Sequence, residues 1–146
     1  ITEEMIDRMM QINIKGPFLC TQAIIPDMVA AKCGRIVNIS SSSAQTGAPM
    51  MAHYATSKGG IIAFTKTLAR EYADKGITVN NIPPGFVDTP MLRASPVNIE
   101  EQTASSPMKR AGKPEDIAAA CSYLVSESAG YVTGHTLGVN GGRVMP

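Results

Sequence analysis

Gly34-Arg35-Ile36-Val37-Asn38-Ile39-Ser40-Ser41-Ser42-Ser43 is the stretch from which the fold is read. The β-branched, apolar run at 35–39, bounded by glycine and serines, predicts a short buried strand of a parallel sheet with the serines at its C-terminal edge. Ahead of it, residues 3 to about 31 keep apolar side chains near helical spacing at Met5, Met9, Ile12, Leu19, Ala23 and Met28. Thr2-Glu3-Glu4 supplies a capping hydroxyl and carboxylates that suit the positive end of a helix. Pro17 and Pro26 each predict a break or kink, so the expectation is one long, bent helix ended by Gly34.

Downstream, Gly47 and Pro49 mark a loop, and a second helix is expected from about Ala52 to Asp74, closed by Lys75-Gly76. A strand follows at Ile77 to Ile82 and is stopped by Pro83-Pro84-Gly85. Residues 88 to 106 mix Pro, Ser, Thr and Asn with scattered Met and Leu, which predicts a loop with a short helix, suited to a mobile lid. Its apolar Met91, Leu92, Pro96 and Val97 suggest a substrate with a hydrophobic part. Pro114-Glu115-Asp116 opens a third helix to about Ser126, and Thr136-Leu137-Gly138-Val139 is a last strand before Gly141-Gly142. Helix and strand thus alternate three times. That order implies an α/β fold with right-handed crossovers and helices on both faces of a parallel sheet, half of a doubly wound architecture. No repeat or long linker divides residues 1–146, which read as part of one domain.

With 44% hydrophobic and 17% charged residues, the 146-residue chain can build one modest core. A net charge of +1 without a long basic run gives no electrostatic reason for a nucleic-acid or anionic-membrane partner, which leaves a small-molecule ligand. Apolar runs such as Ile36–Ile39 and Ala118–Cys121 are too short for a bilayer, and no charged-then-apolar leader opens the chain; a cytoplasmic protein is expected. Cys20, Cys33 and Cys121 are odd in number and lack CxxC spacing, so they are expected to be reduced, buried thiols. His53 and His135 have no carboxylate-rich spacing around them, and no metal site is expected.

Chemistry concentrates at Tyr54 and Lys58, four residues apart and therefore on one face of the second helix. A phenol ordinarily titrates near pH 10, and a neighbouring ammonium favours its phenolate, which brings proton exchange toward neutral pH. Taken alone, such a pair is commonly just a solvated helix face.

The surrounding text changes that reading. Gly34 to Ser41, then thirteen residues to Tyr54, then Lys58 in Tyr54-Ala55-Thr56-Ser57-Lys58-Gly59-Gly60, closely resemble the short-chain dehydrogenase/reductase family. Its YxxxK pair matches Tyr54 and Lys58, and its active-site serine matches Ser41. Asn13, twenty-eight residues before Ser41, matches the family's helix asparagine. The resemblance continues through Gly76-Ile77-Thr78-Val79-Asn80, Pro84-Gly85-Phe86-Val87-Asp88-Thr89, Pro114-Glu115-Asp116-Ile117-Ala118, Tyr131-Val132-Thr133-Gly134-His135 and Val139-Asn140-Gly141-Gly142. It departs at Pro83, where a small residue is more usual, and at Asn140, where Asp is frequent.

The resemblance implies a Rossmann-like fold and an NAD- or NADP-dependent oxidoreductase acting on a carbonyl or secondary alcohol. In it, Tyr54 would exchange the proton and Ser41 would hydrogen-bond the reacting oxygen. Lys58 would favour the phenolate and hold the nicotinamide ribose, and Asn13 would bind a relaying water. Ile39, Pro84, Gly85, Val87 and Thr89 would line the nicotinamide beside Tyr54 and Lys58. A homo-oligomer, tetramer or dimer, is implied, with the helices at 3–31 and 52–74 at its interfaces. The look is nearest to 3-oxoacyl-carrier-protein reductases and related alcohol or sugar dehydrogenases. Among four consecutive serines, only the spacing to Tyr54 selects Ser41.

Three features of the family are missing: a TGxxxGxG loop, an NNAG segment and a residue to read the adenine ribose. With Ile1 no natural start, the expectation is the C-terminal, catalytic half of such an enzyme, whose N-terminal half would decide between NAD and NADP. The alternative is a truncated, non-catalytic relative kept for assembly or partner binding. Retention of all four polar residues speaks against it.

Overall fold

Thr2 starts the first helix as its hydroxyl predicts: Oγ1 accepts from the Met5 N–H at 3.3 Å, and α1 runs over Glu3–Met10. The computed structural model describes residues 1–95, 98–104 and 106–145. The expected single bent helix is in fact α1, a π-helical turn over Gln11–Lys15, and α2 over Gly16–Ala31. The irregularity thus lies before Pro17 rather than at it. Pro17 has no N–H to give the Asn13 carbonyl four residues back, and the Gly16 N–H reaches five residues back to Gln11. Pro17 then sits in the first turn of α2, where a missing donor is tolerated, while α2 continues unbroken past Pro26.

Two strands, β1 (Gly34–Ile39) and β2 (Ile77–Ile82), pair in parallel from Gly34 opposite Ile77 to Ile39 opposite Ile82. Between them lie α3 (Ser43–Thr46), α4 (Ala52–Tyr72) and a 3₁₀ turn, Ala73–Lys75. The expected third strand at Thr136–Val139 needs correction. Among the described residues the continuous ladder has two strands, and the last segment joins β2 through isolated parallel bridges, Asn81 with Thr136 and Pro84 with Val139. Pro83 and Pro84 offer no N–H between those points, so the ladder cannot continue. The segment is still held, by Leu137 N–H to the Asn81 carbonyl at 2.8 Å and Gly85 N–H to the Val139 carbonyl at 3.1 Å.

The core joins Ile25 of α2, Ile36 of β1, Ile61, Phe64 and Leu68 of α4, and Ile77 and Val79 of β2. Phe18 stacks on Phe64 with ring centroids 4.1 Å apart. Each large apolar side chain removed from water there contributes roughly 1.5–3 kcal/mol. Asn38 donates to Thr65 of α4 at 2.9 Å, so by the strand's period of two Arg35 faces the other side. There it approaches Gly130, just after α7 (Pro114–Val125), whose Leu124 is buried. Helices therefore cover both faces of the sheet, as a parallel pair requires.

Among its described residues, the 88–106 segment contains two short helices, α5 (Pro90–Arg93) and α6 (Ile99–Ala104), where one was expected. Met91 is exposed and Leu92 partly buried, while Pro96 and Val97 lie outside the described residues. The cysteine expectation is also corrected: Cys20 and Cys33 are exposed and Cys121 is partly buried. The buried residues of α2 are Thr21 and Ile25, and Cys20 lies off that strip. Among the described residues, no helix is long and apolar enough to cross a membrane.

Candidate active site

Strand alternation carries on past β1 and sorts the first three of the four serines. Ser40 N–H donates to the Ile82 carbonyl at 2.9 Å and Ser42 N–H to the Pro84 carbonyl at 3.0 Å, and both residues are buried. Ser41, between them, is partly exposed, and its Oγ accepts from the Ser43 N–H at 3.2 Å. A hydroxyl that accepts keeps its own proton to donate. The geometry thereby separates Ser41 from Ser40 and Ser42, which composition alone could not do.

On α4, Tyr54 and Lys58 are both half-buried, with the Lys58 Nζ 6.0 Å from the Tyr54 ring centroid. Nζ donates to the Ile39 carbonyl at 3.0 Å, which holds the cation at the C-terminal end of β1. An ammonium has three donors, so two remain for other partners. Burial lowers the Lys58 pKa from its ordinary 10.5, because desolvation disfavours the charged form. The Ile39 side chain itself is exposed.

Asn13 reaches the same helix from the π-turn. Its Nδ2 donates to the Ser57 Oγ at 3.0 Å and lies 3.0 Å from the Met9 sulfur. Ser57 is wholly buried and donates to the Tyr54 carbonyl at 2.8 Å. Sequence reasoning missed Ser57. The available signal was a small hydroxyl three residues after Tyr54 and next to Lys58.

The turn after β2 meets the serine turn through the Ser42–Pro84 hydrogen bond. Pro84, Gly85, Val87 and Thr89 are all partly buried along it. A Cβ on Gly85 would fall 2.9 Å from the Asn140 Cα, so packing against the last segment already requires glycine. Val87 bridges to Gly112, and the Thr89 hydroxyl caps α5 by accepting from the Leu92 N–H at 3.2 Å. Arg93 grips Asp88 through two bonds of 2.6 and 2.8 Å, and this hydrogen bonding holds the Asp88 carboxyl below its ordinary pKa. A cavity of about 360 Å³ lies behind the turn among Phe86, Met108, Arg110, Asp116 and Arg143, and none of Ser41, Tyr54 and Lys58 lines it. Among the described residues, no three His, Cys, Asp or Glu side chains gather to hold a metal ion.

Parallel strands under helices, with a serine at a strand's C-terminal end and a tyrosine–lysine pair on the long helix α4 that follows, define a Rossmann-like α/β protein. A family model described as enoyl-(acyl carrier protein) reductase matches residues 1–143. Nodulation protein G of Azospirillum brasilense is 47% identical over 137 residues, which are 93% of this chain and 56% of that protein. The crystal structure of a 3-oxoacyl-[acyl-carrier protein] reductase from Brucella melitensis superimposes with a TM-score of 0.94 at 38% identity, covering 100% of this chain and 55% of that one. ElxO with NADP bound gives 0.92 at 32% identity, over 97% of this chain and 59% of that one. The chain belongs to the short-chain dehydrogenase/reductase family and spans little more than half the length of these relatives.

Proposed function

We propose that residues 1–146 are the catalytic portion of an NAD- or NADP-dependent oxidoreductase, completed by an N-terminal nucleotide-binding half of the kind its relatives' greater length allows. The observation that carries this reading is the Lys58 ammonium, held by the Ile39 carbonyl beside the Tyr54 ring. The residues here fit the nicotinamide end of such a cofactor. Lys58 keeps two donors for ribose hydroxyls, and Ile39, Pro84, Gly85, Val87 and Thr89 offer partly open surface at the strands' C-terminal ends. The bound nicotinamide supplies or accepts the hydride.

In the reducing direction Tyr54 gives its proton to the substrate oxygen, and in the oxidising direction it takes that proton back. Ser41 donates a hydrogen bond to the same oxygen and stabilises the charge that develops there. The Lys58 charge favours the phenolate left behind. Asn13 lends its carbonyl, which Pro17 cannot serve, as acceptor for a water that passes protons toward Lys58. The substrate is a small carbonyl or secondary-alcohol compound, and a 3-oxoacyl thioester is the natural first choice given the name of the Brucella relative. Exposed Met5, Ile6, Ile12 and Leu19 on the first helices support association with further copies, as a dimer or tetramer. Free thiols at Cys20, Cys33 and Cys121 suit a reducing, cytoplasmic setting.

The test is oxidation of NADH or NADPH by the complete polypeptide with 3-oxoacyl thioesters and simple ketones. Turnover that tracks one dinucleotide supports the reading. Firm binding of neither dinucleotide would sink it.

A further inference from the structure

Ser57 has no exposed surface, yet its hydroxyl touches two parts of the proposed machinery at once: it accepts from the Asn13 amide at 3.0 Å and donates to the Tyr54 carbonyl at 2.8 Å. Three residues on, along the same face of α4, Gly60 meets the neighbouring residue of the π-turn. A Cβ there would fall 2.6 Å from the Ile14 Cδ1, so a side chain would make the tip of Ile14 shift where it packs against the core. Asn13 on Ser57 and Ile14 on Gly60 thus seat two consecutive π-turn residues on two consecutive turns of α4.

We infer that Ser57, with Gly60 beside it, is a positioning residue for the proton-transfer chemistry: it fixes the register of the π-turn and acts through Asn13 and Tyr54 without touching substrate. The inference rests on the catalytic reading of Tyr54 and Asn13 given above. A π-turn is an uncommon insertion that persists where its surroundings hold it. Without the Ser57 hydroxyl, the Asn13 amide keeps only the Met9 sulfur, a weak acceptor. Relaxing to α-helical register turns a side chain by about 100° per residue, enough to carry Asn13 off α4. Displacements of this kind in catalytic geometry cost on the order of 10- to 100-fold in rate.

The experiment is steady-state kinetics of the complete polypeptide carrying Ser57→Ala, Asn13→Ala, both together, Ser57→Thr and, as a control, Tyr54→Phe. Ser57→Ala is expected to lower kcat about 10- to 100-fold while KM and dinucleotide Kd stay within about 2-fold. The double variant should lose clearly less than the product of the two single losses, because both single changes remove the same Asn13–Ser57 hydrogen bond. Ser57→Thr, which keeps the hydroxyl, should recover most of the turnover. Should Ser57→Ala fail to fold, Ser57→Cys leaves no cavity, being slightly larger than serine, gives up most of the hydrogen-bond strength and should show the same kcat-only loss. Wild-type kcat in these variants, losses that multiply in the double variant, or a loss confined to KM would each overturn the inference. Those outcomes leave the catalytic reading intact, provided that Tyr54→Phe is inactive. An active Tyr54→Phe would instead overturn that reading, and this inference with it.

Discussion

Lys58 Nζ donates to the Ile39 carbonyl at 3.0 Å, so α4 and the end of β1 hold one cation between them. Its pKa is lowered by desolvation, which means the charged form is less welcome in the fold than in the unfolded chain. Above the unfolded value of 10.5 this handicap is absent, and it returns as pH falls through the lower folded value. Stability should therefore rise with pH across the window between the two. Lys58→Met should flatten that rise and also abolish turnover. Urea midpoints of both proteins across that alkaline window would check it, and parallel curves would contradict it.

Ser41→Ala should cut turnover by roughly 10²-fold, the scale of a lost donor to a developing oxyanion. Ser42→Ala should cost less, since Ser42 is buried and joined through its backbone to Pro84. Comparing kcat for the two variants decides this. The reverse order would show that the chemistry uses another serine.

Residues 88–106 should exchange amide hydrogens faster than α4 or β2, and slow down when dinucleotide and substrate are present. The segment follows the Pro84–Val87 turn directly, and among its described residues the helices are short, so few backbone bonds must open together there. Met91, exposed at its start, would gain cover on closure. Hydrogen exchange with and without ligands is the measurement, and uniform protection in both states would rule out a lid.

Expressed alone, the 146 residues should unfold broadly or aggregate. The outer edge of β1 is unpaired among the described residues, and unpaired parallel strands are poor edges. The complete polypeptide should unfold sharply and gain stability with added dinucleotide. Thermal unfolding of both would test this, and a sharp, dinucleotide-sensitive transition in the short chain would contradict it.

Much of the fold was legible because its signals are local. The β-branched run before Ser40, the apolar run after Gly76 and the Pro114 start gave β1, β2 and α7 to within about a residue. The π-turn was not legible, because the effect of Pro17 on the Asn13 carbonyl depends on how α4 receives the turn at Ser57 and Gly60. The third strand failed for a related reason: Thr136–Val139 has strand character, but its partner side is interrupted by Pro83 and Pro84. Of the site, helical spacing proposed Tyr54 and Lys58, and the family resemblance added Asn13 and Ser41. The contacts between Asn13 and Ser57 and between Lys58 and Ile39 join residues 44 and 19 positions apart, and only the folded chain reveals them.

Tyr54 as the proton-exchanging group is the claim on which the rest depends, and Tyr54→Phe tests it most directly because it removes one hydroxyl from a half-buried ring and little else. The measurement is kcat of this variant in the complete polypeptide, alongside its dinucleotide Kd and its unfolding midpoint. Turnover should fall by at least about 10²-fold, the low end of what a positioned acid or base contributes, while binding and folding stay near wild type. Near-normal turnover in a folded, dinucleotide-binding variant would show that another group moves the proton.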